Sequence, residues 1–246
     1  MVAAPVGFQC PECVRGAAAT TRTAVTVAGG VPITRPVVTF ILIGLNLTIF
    51  GLQFLAGINE VAGSFGMWPV SIALENSWFR LLTSAFLHGS ILHIAFNMYV
   101  LFALGPTLER ILGHVRFIVL YLVAAVGGSV VSYALSDPQT VSVGASGAIF
   151  GLMGALVVAG RRLRYDIRQV IILLVINVVI GFLAPGVDWK AHLGGLVTGA
   201  AMAAVLVWMP RKNRLLWQVL GTAAILLLLV AVTLWRTTQL RDMLIT

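Results

Sequence analysis

The sequence predicts an all-α polytopic membrane protein, and three observations carry that reading. Hydrophobic residues make up 59% of the 246-residue chain and charged residues only 10%, with a mean hydropathy of +1.01. The apolar residues fall into runs close to the roughly 20 residues that a helix needs to cross a bilayer. The cations, 16 Lys and Arg against 8 Asp and Glu, are scattered between those runs. A soluble domain has about 45–50% apolar and about 25% charged residues, and a disordered chain lacks this hydrophobicity; both classes are excluded. The net charge of +8 is the positive-inside bias of an integral membrane protein, so no nucleic-acid partner is expected. Two cysteines give no disulfide framework.

Residues 1–35 read as a cytoplasmic N-terminal segment with no apolar stretch and no small-residue cleavage signal, so the first span reads as a retained anchor. Within it, Cys10-Pro11-Glu12-Cys13 is a C-x-x-C pair. Zinc takes four ligands, and no further Cys or His precedes His88, so Cys10 and Cys13 make half a site. They belong to a partial module, to a site completed by a second chain, or are two free thiols. No resident metal or other cofactor is expected. Residues 14–35 read as a flexible linker.

Seven spans follow, at about 37–57, 91–108, 115–135, 144–160, 168–185, 190–209 and 215–235. Six make a core over 36–210; the seventh, with a short outer tail, fills 211–246. Placing the N-terminus in the cytoplasm puts twelve of the 16 Lys and Arg on the inner side and leaves Arg80, Lys190, Arg236 and Arg241 outside. That asymmetry predicts N-in and C-out, which seven spans satisfy. The outer segment 58–90 is too aromatic for an ordinary loop, with Phe65, Trp68, Trp78, Phe79 and Phe86. It reads as an amphipathic segment lying in the interface.

Polar side chains at membrane depth are costly and mark candidate sites. Three groups stand out: His88 with His93 and Asn97 at the outer start of span two; Gly144-Ala145-Ser146-Gly147 opening span four; and Ala191-His192 opening span six. Spans two, four and six run in the same direction, so Ser146, His192, His93 and Asn97 belong at one depth. His93 and Asn97, four apart, share a helix face. Gly147, Gly151 and Gly154 stripe one helix, and His192, Gly195 and Gly199 the other. Small-residue stripes let membrane helices approach closely, and facing stripes would bring Ser146 to His192, as a serine nucleophile and its base require. Taken singly, each group has a plainer reading as helix-packing glue or an interfacial histidine. The GxSxG of soluble hydrolases sits on a strand-to-helix elbow that the sequence does not suggest. Asn46, Gln53 and Asn177 read as interhelical hydrogen-bond partners, and Asp188 as solvated.

Taken together, in this order, these residues resemble the rhomboid intramembrane serine proteases, in the bacterial variant with one extra C-terminal helix. The resemblance covers roughly 36–210 and rests on Phe79-Arg80, His93-x-x-x-Asn97, Gly105-x-x-x-Glu109, Gly144-Ala145-Ser146-Gly147 and Ala191-His192-x-x-Gly195-x-x-x-Gly199. It implies a six-helix rhomboid-like bundle plus one helix, in a bacterial plasma membrane. It further implies Ser146 as nucleophile, His192 as general base and then acid, and an oxyanion hole from Asn97, His93 and the Ser146 N–H. Substrates would be single-span membrane proteins cut near the outer face, with access controlled by the first outer loop and span five. Phe150, where the family commonly has tyrosine, would stack on His192. Some relatives carry a zinc module ending in a similar cysteine pair. Arg80 and Glu109 read as structural. The alternative is a rhomboid-like protein that binds transmembrane helices without cutting them, and a transporter is disfavoured because no carboxylate lies at span centre.

Overall fold

The computed structural model describes residues 1–246 apart from 4, 6, 21–23, 184–185 and 246; Arg22, counted above on the inner side, lies outside the described residues. A two-residue hairpin pairs β1 (Val2–Ala3) with β2 (Phe8–Gln9), and α1 (Pro11–Thr20) follows. Then come α2 (Val37–Ala56), α3 (Ile58–Phe65), α4 (Pro69–Glu75), α5 (Arg80–Thr83) with a 3-10 turn at Ser84–Phe86, and α6 (Ile91–Leu112). The chain ends with α7 (His114–Leu135), α8 (Ser146–Leu163), α9 (Arg168–Leu183), α10 (Trp189–Trp208) and α11 (Arg214–Ile245). Among the described residues six helices, α2, α6, α7, α8, α10 and α11, are long and apolar enough to cross a membrane. The fifth expected span, 168–185, is α9, which has 16 residues, about 24 Å at 1.5 Å per residue, short of a hydrocarbon core of about 30 Å.

The polarity is that of a membrane protein. Large apolar side chains such as Leu55, Leu92, Val197 and Leu228 face outward, while Asn46, Gln53, Glu109 and Ser132 are buried. The centre is α7, α8 and α10, and glycine sets their spacing. A Cβ on Gly195 or Gly199 of α10 would strike the backbone of Gly147 or Gly151 of α8, and one on Gly128 of α7 would lie 2.8 Å from Ala191 O. With no side chain between them, the backbones close to contact and dispersion acts along the whole crossing.

Residues 58–90 are a chain of short helices packed inward. Met67, Ile72, Ala73 and Leu81 form a second core with Val130, Tyr133, Leu229 and Leu240. Arg80 holds its bend, donating from Nη1 to Gly63 O (2.7 Å) and Gly66 O (3.0 Å), beside the rings of Trp68 and Phe79. At the opposite end Glu109 is fully buried and accepts from Val38 N, Thr39 N and Thr39 Oγ1. A carboxylate at a helix N-terminus meets otherwise unpaired N–H groups. A Cβ at Gly105 would lie 2.7 Å from Thr39 Cγ2, so glycine there lets α2 reach its cap.

Several elements differ from the expectations. Residues 14–35 are not simply a linker. Pro11–Thr20 is helical, and Ala28 docks at 2.9 Å through its carbonyl on Gln218 Nε2, a long-range partner that no local pattern signals. The expected tail after 235 continues α11 as helix, because Arg241 donates to Ala73 O and Asn76 Oδ1, both at 2.7 Å. Asn177 donates to the carbonyl four residues back on its own helix, and Asn46 does likewise, although its amide also meets the hydroxyl of Tyr121 on α7 as an interhelical partner.

Candidate active site

Ser146 is the first residue of α8 and follows a short extended segment. Ser142 and Met67 exchange backbone hydrogen bonds at 2.9 Å, and Gly144 N donates to Ser84 O at 2.9 Å. Gly144 has φ +140°, a conformation that L side chains rarely adopt. Its Cβ would lie 2.9 Å from His93 Nε2 and 3.5 Å from Ser146 Oγ, so the missing side chain is what lets the three approach. The chain therefore does make an extended-to-helix turn before the serine, which the apolar, glycine-rich sequence around it did not suggest.

The α8–α10 crossing sets His192 Nε2 2.9 Å from Ser146 Oγ. Phe150, one turn beyond Ser146, stacks on the imidazole with centroids 4.1 Å apart and planes within 10°. Nδ1 of His192 is buried without a partner among the described residues. Asp188, four residues earlier, is not simply solvated. Its Oδ1 accepts from Ala191 N at 3.1 Å, capping α10, and its Oδ2 accepts from Ser132 Oγ. Both oxygens have work away from the imidazole.

His93 lies on the other side of Ser146. Its Nδ1 accepts from Gly89 N at 3.3 Å, so the neutral ring carries its proton on Nε2, the edge facing Gly144. Asn97 is buried and donates from Nδ2 to His93 O at 2.8 Å; its amide keeps a second N–H. Nε2–H of His93 faces Gly144 beside the Ser146 amide that opens α8, and Asn97 lies one turn along α6 with an N–H to spare. His88 packs edge-on to His93 with centroids 5.1 Å apart. Burial, with His93 beside it, pulls the His88 imidazole down to about 3, so it is uncharged at neutral pH.

Two supports complete the site: Gln53, expected as a hydrogen-bond partner but with no partner named, and Gly181, which the sequence reading did not single out. Gln53 grips the backbone of His88 from both sides, Nε2 donating to its carbonyl at 3.0 Å and Oε1 accepting from its N–H at 3.1 Å. Gly181 of α9 abuts His192, since a Cβ there would lie 3.1 Å from Nδ1. The polarity of Gln53 within an apolar span was the available signal; Gly181 gave none. An apolar cavity of about 90 Å³ opens beside His192, lined by Phe150, Val178, Trp189, Leu193 and Leu196. Cys10 and Cys13 are exposed and free, far from these groups in sequence. The backbone N–H groups at the start of α1, that of Cys13 first, draw the Cys10 thiol below its usual value. No cluster of three or more metal-ligating side chains occurs among the described residues.

The Rhomboid domain family model matches residues 75–209, a stretch that contains His93, Asn97, Ser146, Phe150 and His192. The chain is 37% identical over 180 residues to Rhomboid protease GluP of Bacillus subtilis, covering 70% of this chain and 35% of that protein. It is 33% identical over 178 residues to Putative rhomboid protease YdcA of the same organism, covering 70% and 89%. With Rhomboid protease AarA of Providencia stuartii it shares 27% over 208 residues, covering 72% and 74%. The matches span a third to a half of the first curated relatives, 35% of GluP and 49% of RHOMBOID-like protein 6 of Arabidopsis thaliana. A family model over more than half the chain, and a one-third-identical relative matched over nearly its whole length, settle the kinship: this multi-pass membrane protein belongs to the rhomboid family.

Proposed function

We propose that this chain is an intramembrane serine endopeptidase that cuts single-span membrane proteins near the outer ends of their helices. The observation that carries the reading is the 2.9 Å approach of His192 Nε2 to Ser146 Oγ across the glycine-lined crossing of α8 and α10. Ser146 Oγ attacks the scissile carbonyl while Nε2 takes its proton and then returns it to the leaving amine. The tetrahedral oxyanion is met by Asn97, by Nε2–H of His93 and by the Ser146 amide. All are neutral, so no permanent charge is held within the bilayer. There is no acidic third member: Asp188 caps α10, and the Phe150 stack holds the imidazole instead. Gly144, Gly147, Gly195 and Gly199 act by allowing the approach.

The same reading sets the protein N-in and C-out in a bacterial plasma membrane, with 36–210 as the catalytic core. Short α9, mostly exposed on its outward side, is the element best placed to move for a substrate helix. The outer loop is tied by Arg80 and braced by α11.

The test is cleavage of a single-span reporter by the purified chain in proteoliposomes, beside Ser146→Ala and His192→Ala. The proposal expects a product cut near the outer end of the reporter helix from the parent chain and none from either variant. Capture of the reporter by all three without cutting would favour a helix-binding member of the family.

A further inference from the structure

Among the described residues the one ion pair is His114 with Glu109. Nearby, at the inner ends of α7 and α11, two half-buried arginines converge on the turn at 26–30. Arg214, the first residue of α11, donates from Nη1 to Val27 O at 3.2 Å, and its Nε is buried without a partner. Arg116, in the first turn of α7, donates from Nε to Gln218 Oε1 at 3.0 Å. The two guanidiniums are near enough to repel each other. A Cβ at Gly29 would lie 2.9 Å from Arg214 Nη1 and one at Gly30 3.1 Å from Arg116 Nη1, so they flank consecutive residues of one turn.

Each guanidinium has five N–H donors, and among the described residues each makes a single hydrogen bond, to a neutral oxygen. Two like charges, partly withdrawn from water and with no carboxylate between them, are an unfavourable pair unless an anion joins them. We propose that the Arg116–Arg214 pair binds the phosphate of an anionic phospholipid. Three features select that occupant. Guanidinium forks match phosphate oxygens bidentately. Both arginines sit where spanning helices end, at headgroup depth. The neighbouring Arg211 and Lys212 are exposed and add positive potential of the kind that draws anionic lipid. A bound phosphate would join α7, α11 and the N-terminal turn at one point, so the lipid would fasten the seventh spanning helix to the core. The inference is independent of the proposed protease activity.

The test is lipid binding by the intact chain in neutral detergent, with native mass spectrometry to count bound lipid. Phosphatidylglycerol, phosphatidylcholine and inorganic phosphate are the three probes. The expected result is one saturable phosphatidylglycerol, preferred over phosphatidylcholine by about tenfold or more, a difference of about 1.4 kcal/mol. Millimolar inorganic phosphate should leave it in place. In Arg116→Gln/Arg214→Gln the preference should collapse, whereas Arg161→Gln/Arg162→Gln, which loses the same charge from the inner end of α8, should keep it. Equal loss in both variants would mean diffuse attraction and overturn the site; displacement by inorganic phosphate would overturn the lipid. Should the first variant not fold, the unsubstituted chain still decides, because absence of a saturable, selective site there is itself a refutation.

Discussion

His192 has one ring nitrogen against Ser146 and the other with no partner, so the orientation of its ring falls to the Phe150 face. An aromatic pair of this kind contributes about 0.5–1.5 kcal/mol beyond the area it buries. Phe150→Leu, which keeps an apolar side chain in this buried position but removes the ring face, should therefore lower kcat by up to about tenfold with little change in melting temperature, read from kcat and KM on a reporter in parallel with a thermal melt. A loss as complete as that of Ser146→Ala would mean that Phe150 does more than orient. His88 makes a second prediction. Its folded value, about 3, lies below the ordinary 6.5, so the unfolded chain binds more protons between them and stability falls as pH drops through that window. The slope from this group is at most about 1.4 kcal/mol per pH unit. Melting temperature should decline from pH 6.5 towards 4, and less steeply in His88→Phe. Equal slopes would remove His88 as the cause. Ser146, His93, Asn97 and His192 were legible because each is a polar side chain in an apolar run. What Gln53 holds was not, since its partner is the backbone of His88, 35 residues away, which only the fold brings near.

At the scale of elements, the geometry depends on α8 and α10 touching along glycine. Gly199→Leu should separate the helices. Overpacking a close contact typically destabilises by about 1–3 kcal/mol or more, and cleavage should fall along with the melting temperature. A variant that melts normally and cuts normally would contradict the account of the crossing. The Gly147, Gly151, Gly154 stripe and the His192, Gly195, Gly199 stripe made these two helices readable in advance. Their partner α7 was not readable in the same way, because its Gly127 and Gly128 contacts, to Thr198, Ala191 O and the Gly147 backbone, depend on a third helix. Helix ends were harder still. Hydropathy ends the last span near 235, whereas hydrogen bonds from Arg241 to the outer segment carry α11 to Ile245. The same tertiary logic explains Asp188, which counts as a loop residue by position and as a helix cap by its partners.

For the whole molecule, composition alone identified a membrane bundle, because burying this much apolar surface in 246 residues leaves lipid as the remaining apolar solvent. What it did not convey is that the outer segment is a second core wedged between α7 and α11. That core braces one side of the molecule and leaves α9 thinly held on another. The whole arrangement serves one claim, that Ser146 is a nucleophile activated by His192. The most direct measurement is reaction of the folded chain with a fluorophosphonate, with the modified residue located by mass spectrometry. The account predicts a single adduct on Ser146, absent after unfolding and formed at least about a hundredfold more slowly in His192→Ala, the scale expected for loss of a general base. An adduct elsewhere, or equal reactivity of Ser146 without the imidazole, would contradict it.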